Sequence, residues 1–188
     1  FTIDRGAPMQ LVDDGPQTLA RATALALTGA TEALERLSPD ILLVLGDRYE
    51  TLALAQAAML TRTPVAHIGG GDVTYGAIDE GLRHAITKLA HLHLVTHDEA
   101  AARVIRMGEA PDRVHLVGNP GLDHLVRAPR LERGELERRL GRPLGDRNLL
   151  VTFHPVTTLP DRGLGELIAL LTALVQTPGA ALWFTAGN

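Results

Sequence analysis

Ile41-Leu42-Leu43-Val44-Leu45-Gly46-Asp47-Arg48 and Pro64-Val65-Ala66-His67-Ile68-Gly69-Gly70-Gly71-Asp72 decide the fold. Each is a short apolar run closed by glycine, with an acid just beyond. A run of this length, bounded by Pro and Gly, reads as a strand buried on both faces, as in a parallel sheet. Between the two, Tyr49 to Arg62 reads as an Ala/Leu-rich helix.

The same alternation extends in both directions. Upstream, Pro16 to Leu37 reads as a helix, with Pro16 in the first turn and Leu19, Ala22, Leu27, Ala30, Leu34 and Leu37 near helical spacing. Downstream, Ile78 to Ala90 is a predicted helix and His91 to Val95 a strand. Thr96 with Glu99 then forms a capping-box pattern that starts a helix ending at Gly108. Arg113 to Val117 is a further strand, before Gly118-Asn119-Pro120. Regular strand–helix alternation implies crossover connections and a parallel sheet.

From Arg127 to Arg147 the character changes. Seven charged residues from Arg130 to Arg139, with Pro129, Pro143 and Gly145, suggest a solvated helix and linker. A new strand opens at Asn148, followed by a helix over Leu164 to Gln176 and a last strand, Ala181 to Thr185. The expected organisation is one α/β domain over 1–126, a charged hinge over 127–147 and the start of a second over 148–188. The chain begins at Phe1 and stops at Asn188 directly after a strand, so it reads as cut at both ends.

Composition narrows the function classes. Of the 188 residues 45% are hydrophobic and only 3% aromatic, which gives an aliphatic core. The net charge is −4 with basic residues scattered, so nucleic acid is not an expected partner. No cysteine is present, which removes thiol chemistry and disulfides. No apolar run is long enough to span a membrane, and no leader opens the chain. A cytoplasmic protein without membrane contact is the expectation.

In open parallel sheets, ligands bind beyond the carboxyl ends of the strands. That rule selects Asp47 and Arg48, the run Gly69-Gly70-Gly71-Asp72, Asp79 and Glu80, Thr96-His97, Asn119 and, in the second domain, His154. Asp47 reads either as a cap for the next helix or as a carboxylate facing the crevice. The glycine run lacks the lysine of a phosphate loop and is not a dinucleotide fingerprint. It reads either as a tight loop or as close backbone approach to a ligand. Asp79 with Arg83 and Glu80 with His84 stand four apart, and the bland reading is two surface ion pairs. His91 and His93 share a strand face, but without a matching carboxylate cluster no metal is expected.

Taken in order, these segments carry a resemblance. Gly46-Asp47-Arg48-Tyr49-Glu50, Pro64 through Thr74, Gly76-Ala77-Ile78-Asp79-Glu80, Arg83-His84-Ala85-Ile86-Thr87-Lys88, Val117 through Gly121 and Val151 through Thr157 together resemble the UDP-N-acetylglucosamine 2-epimerase family, and more closely its hydrolysing branch. The resemblance covers nearly the whole chain, and Arg-His-Ala-Ile-Thr-Lys is its most specific part. It implies two Rossmann-like domains of GT-B type, of which this chain holds the later part of the first and the beginning of the second. It also implies a UDP-sugar substrate, no cofactor, and room for a homo-oligomer.

By the same resemblance Asp47, Asp72, Asp79 and His154 are the catalytic candidates. Arg48, Gly70, Gly71, Arg83, His84 and Asn119 are the substrate-binding ones. One departure stands out: where the family carries Glu, this chain has Gly69. Either Asp72 takes the role by swinging within a flexible glycine loop, the substrate differs, or the reaction has been lost. Rival readings are a GT-B glycosyltransferase and a non-catalytic nucleotide-sugar binder.

Overall fold

A computed structural model describes residues 3–6, 8–9, 13, 15–156, 160–161 and 163–185. Phe1, Thr157 and Asn188 fall outside them. The chain divides into two compact units, Phe1–Leu122 and Asp123–Asn188.

In the first unit α1 (Pro16–Leu37), β1 (Leu42–Leu45), α2 (Tyr49–Thr61), β2 (Val65–Ile68), α3 (Asp79–Leu89), β3 (Leu92–Val95), α4 (Asp98–Arg106) and β4 (Val114–Leu116) alternate. The strands form one sheet in the order β1-β2-β3-β4. Every pair is parallel, with Val44 opposite His67, His67 opposite His93, and His93 opposite Val114. All four carboxyl ends therefore open on one rim, the rim that parallel sheets use for ligands.

Small residues set the packing. Ala22, Ala26, Ala30 and Leu34 recur every four residues and form the buried stripe of α1, which lies against α2. On α2 the buried residues are Ala53, Ala55, Ala57 and Ala58, whose single methyl groups let the helix sit close to its neighbours. Ala30, Leu34, Ala55, Ala57 and Ala58 join Val44, Val65, Ile86 and Ala90 in the main core cluster, and Val95 with Ala100 and Val104 of α4 makes a second.

Two local expectations are overturned. The run Ile41–Leu45 is not buried on both faces: Leu43 is 59% and Leu45 64% exposed, while Val44 is buried. Among the described residues β1 is an edge strand that pairs only with β2, and α1 and α2 cover one of its faces. Thr96 does not cap α4. His97 occupies that position, without a side-chain cap bond, because the Thr96 hydroxyl is committed elsewhere on the rim.

α5 (Pro120–Arg127) runs across the boundary between the units. In the second unit α6 (Arg133–Leu140) carries exposed ion pairs, Arg133 with Glu137 and both Arg138 and Arg139 with Glu135. β5 (Arg147–Val151) and β6 (Ala180–Phe184) pair in parallel through the crossover helix α7 (Leu164–Val175). Trp183 donates its indole N–H to Asn148 and receives the Arg142 guanidinium 5.0 Å from its ring centre. Among the described residues no helix is long and apolar enough to cross a membrane.

Candidate active site

The rim is organised by one arginine. Arg83, on the second turn of α3, is 6% exposed. Its Nη2 donates to Asp47 Oδ2 and to Thr74 Oγ1 at 2.9 Å, and its Nη1 donates to the backbone oxygen of Asp72 at 2.9 Å. A planar guanidinium with several fixed donors can join three segments in this way where a lysine could not. It ties the end of β1, the loop after β2 and α3 into one surface. The expected surface pairing of Arg83 with Asp79 is therefore wrong. The helical spacing is as read, but a buried guanidinium takes the partners on the sheet side.

Asp47 is no helix cap either; Arg48 stands at that position, and Asp47 turns to Arg83. Its backbone is fixed from below. Gly46 adopts φ +89°, donates its N–H to Ile68 and accepts a 2.8 Å bond from Nε2 of His67. A carbonyl can only accept, so this nitrogen carries the proton. His67 is fully buried, and burial pushes its pKa down. The Gly46 bond opposes that lowering, while His93 and Arg83 add to it.

Asp79 lies in the first turn of α3. Its pKa is raised, first by burial and then by the charge of Asp47, with Arg48 and Arg83 acting against both. The two carboxylates thus feel one another across the rim. Glu80 accepts the Thr74 N–H at 3.0 Å and lies 3.9 Å from Nε2 of His84, whose buried Nδ1 has no hydrogen-bond partner among the described residues. Arg48 is more than half exposed, its pKa raised by the hydrogen bond and charge of Glu50 at 2.6 Å.

The glycine loop is clamped. Gly71 adopts φ +82°, and a Cβ there would collide with the carbonyl oxygen of Ala100 and approach Val104 Cγ2 to 2.9 Å. Arg103 bonds the Gly71 oxygen from the same helix. A Cβ on Gly70 would come within 3.0 Å of Thr87 Oγ1 and 3.1 Å of His67 Nδ1. Packing alone accounts for both glycines, and the expected freedom of Asp72 to swing is not found. Its backbone is held by Arg83, and its Oδ1 accepts a 2.7 Å bond from Thr96 Oγ1. Gly69, at φ +82°, is open: the nearest atom to an added Cβ is Asp72 Oδ2, 4.0 Å away. The Asp72 carboxylate thus borders the space that a side chain at 69 would enter.

Two candidates remain, Asn119 and His154. Asn119 is exposed, and its Oδ1 accepts the Gly121 N–H at 2.9 Å at the start of α5. His154 is exposed in the second unit, beyond the carboxyl end of β5. His91 and His93 do not share an environment. His93 is buried beside Glu109 at 3.2 Å and has its pKa lowered by burial, whereas His91 is exposed and accepts from the Val65 N–H. Among the described residues no cluster could hold a metal ion. Thr74 and Arg103 are rim residues that sequence reasoning did not select. Thr96 was placed on the rim by its strand end, but the capping-box pattern concealed its bond to Asp72.

A parallel sheet with three carboxylates and a buried arginine at its carboxyl rim defines a Rossmann-like α/β protein. The chain belongs to the UDP-N-acetylglucosamine 2-epimerase family, whose model matches residues 1–188. It is 35% identical over all 188 residues to a GDP/UDP-N,N'-diacetylbacillosamine 2-epimerase (hydrolyzing) of Campylobacter jejuni, covering 49% of that protein. It is 38% identical over 156 residues to a UDP-N,N'-diacetylbacillosamine 2-epimerase (hydrolyzing) of Legionella pneumophila, covering 83% of this chain and 41% of that one. The chain thus spans about half the length of the curated relatives it matches. Its fold is that of the UDP-GlcNAc 2-epimerase from Neisseria meningitidis bound to UDP-GlcNAc, with TM-score 0.74 and 21% identity, covering 92% of this chain and 49% of that one. The enzyme from Methanocaldococcus jannaschii in complex with UDP-GlcNAc and UDP matches equally well, at TM-score 0.74 and 21% identity over 89% of this chain and 47% of that one.

Proposed function

We propose that the complete protein is a hydrolysing 2-epimerase acting on a UDP-linked 2-acetamido or 2,4-diacetamido sugar. The observation that carries this is the gathering of Asp47, Asp72 and Asp79 around Arg83 on one rim. The hydrogen on C2 of such a sugar is not next to a carbonyl, so it resists direct removal. Departure of UDP from C1 gives that carbon oxocarbenium character and acidifies the C2 hydrogen. A carboxylate then takes it as a proton, leaving a 2-acetamidoglucal, and hydration in the opposite sense yields the manno sugar.

Such a route needs one group that takes a proton and another that gives one. Asp79, with its raised pKa, suits the donor. Asp72 borders the space beside Gly69 and suits the acceptor in place of the family's Glu. Asp47 is the anchored carboxylate of the set, and His154 is the second domain's contribution. Arg48, His84 and Asn119 remain substrate-binding assignments on the same reading.

The complete protein, incubated with UDP-N-acetylglucosamine and with its 2,4-diacetamido analogue in deuterium oxide, should release UDP. It should also give a manno sugar carrying deuterium at C2. A product with unchanged C2 that forms only with an acceptor identifies a glycosyltransferase instead. Tight UDP binding with no turnover of either sugar identifies a non-catalytic binder.

A further inference from the structure

Asp72 is joined to a partly exposed imidazole through a hydroxyl. Thr96 Oγ1 lies 2.7 Å from Asp72 Oδ1 and 2.8 Å from His97 Nδ1, and that nitrogen lies 3.3 Å from the same carboxylate oxygen. Thr96 directly follows β3 and His97 directly precedes α4, so the two side chains are placed by a strand end and a helix start. A hydroxyl has one proton to give and lone pairs to accept with. While Asp72 is a carboxylate, Thr96 donates to it and His97 donates Nδ1–H to Thr96. The His97 side chain is 49% exposed, and its Nε2 lies 3.9 Å from Glu99 at the surface.

We infer that Thr96 and His97 form a proton relay that discharges Asp72 to solvent after each turnover. The inference rests on the proposed 2-epimerase reading, because that reaction leaves its base protonated. A bound sugar is what gives the relay its use. Arg83 holds the Asp72 backbone oxygen, Arg103 holds the oxygen of Gly71, and Gly71 is pressed onto Ala100, so the loop backbone is fixed. The Asp72 side chain is one-third exposed, and a sugar lying over it would cover that face and leave Thr96 as the way out.

The transfer balances without electron gain or loss. The O–H bond on Asp72 breaks as one forms on Thr96 Oγ. His97 first exchanges its Nδ1 proton for one on Nε2 through water, and the original Thr96 proton then passes to the freed Nδ1. The resulting imidazolium gives its Nε2 proton to water. Asp72 is again a carboxylate, Thr96 an alcohol and His97 neutral. The charged groups facing the relay are Asp72 and Glu99, with Arg83 and Arg103 behind the loop.

Both are positioning residues acting through Asp72, and the test uses the complete protein with UDP release as readout. His97→Ala should lower kcat about 10²-fold with KM little changed, the lower end of the scale for a positioned acid or base. Added imidazole should restore much of the loss, since a free base can accept the proton that the relay no longer carries. Thr96→Val, which keeps the shape and removes the hydroxyl, should fall similarly, while Thr96→Ser retains activity. His97→Gln serves as a second variant should the alanine change disturb α4.

Wild-type kcat in His97→Ala and Thr96→Val overturns the relay. So does a loss that imidazole leaves untouched in a variant with an unchanged melting temperature, which would mark local support only. A wild-type protein that releases no UDP from either sugar overturns the 2-epimerase reading itself and the relay with it, so the two failures are told apart.

Discussion

Arg83 shows how a single side chain can define a site. Because it is almost wholly buried, its charge must be answered by groups within reach, and those groups belong to three different segments. Removing it leaves Asp47 and the Asp72 loop without their common partner. Arg83→Ala should therefore lower the stability of the complete protein by about 2–4 kcal/mol, somewhat below the cost of breaking a fully buried pair because Asp47 keeps contact with water. Arg83→Lys should recover only part of this, since a point charge cannot reach all three acceptors. Chemical denaturation midpoints check both, and a lysine variant as stable as wild type would contradict the three-way clamp. Asp72→Asn makes the complementary test. Turnover should fall about 10²–10⁴-fold with UDP affinity little changed, because on the proposed reading the residue serves the sugar and not the diphosphate. Unchanged turnover would assign the proton to another residue.

Elements explain which parts of this site could be read beforehand. The strand ends were legible, since an apolar run followed by Gly-Asp or by glycines leaves little choice of register or boundary. That placed Asp47 and Asp72 on one rim without coordinates. The partners were not legible. Arg83 stands one helical turn after Asp79, and sequence spacing favours that pair. Three-dimensional packing instead turns Arg83 under the rim toward Asp47. The partner of Thr96 was hidden for a similar reason: a Thr three residues before a Glu satisfies the capping rule, while the competing acceptor is 24 residues away in the chain. The buried strand pair β2–β3 yields a prediction of its own. His67 and His93 face each other in register, both fully buried and both with pKa values pushed down by burial. In the unfolded chain each takes a proton near pH 6.5. A depressed folded pKa contributes stability that is fully present above that pH and is lost as pH falls toward the folded value. Denaturation midpoints should therefore drop between about pH 7 and pH 5, and the drop should be smaller in His67→Gln. The core beneath the pair offers a control without charge: Ile86→Ala should cost about 2–5 kcal/mol at every pH.

At the scale of the whole molecule, the surface is less finished than the core. Edge strand β1 leaves Leu43 and Leu45 exposed beside an unpaired row of backbone groups, with Ile41 just before it at 48%. On α7, Leu164, Ile168, Leu171 and Val175 follow helical spacing, yet all are exposed, Val175 by 81%. Apolar stripes of this kind, in register on an edge strand or along one helix face, are usually covered by further protein. The curated relatives are about twice as long, which supplies the material for such covering. Residues 1–188 produced alone should therefore bind a hydrophobic dye and self-associate, while the complete protein should do so far less. The location of the surface can be tested separately, because Leu43→Lys and Leu45→Lys place charge on the β1 face without entering the core. In the isolated segment the double substitution should reduce self-association, measured by light scattering. In the complete protein the same change should be destabilising if that face is buried there. If it is harmless in the complete protein and without effect on the segment, β1 is an ordinary exposed edge, and the apolar run Ile41–Leu45 has no covering partner.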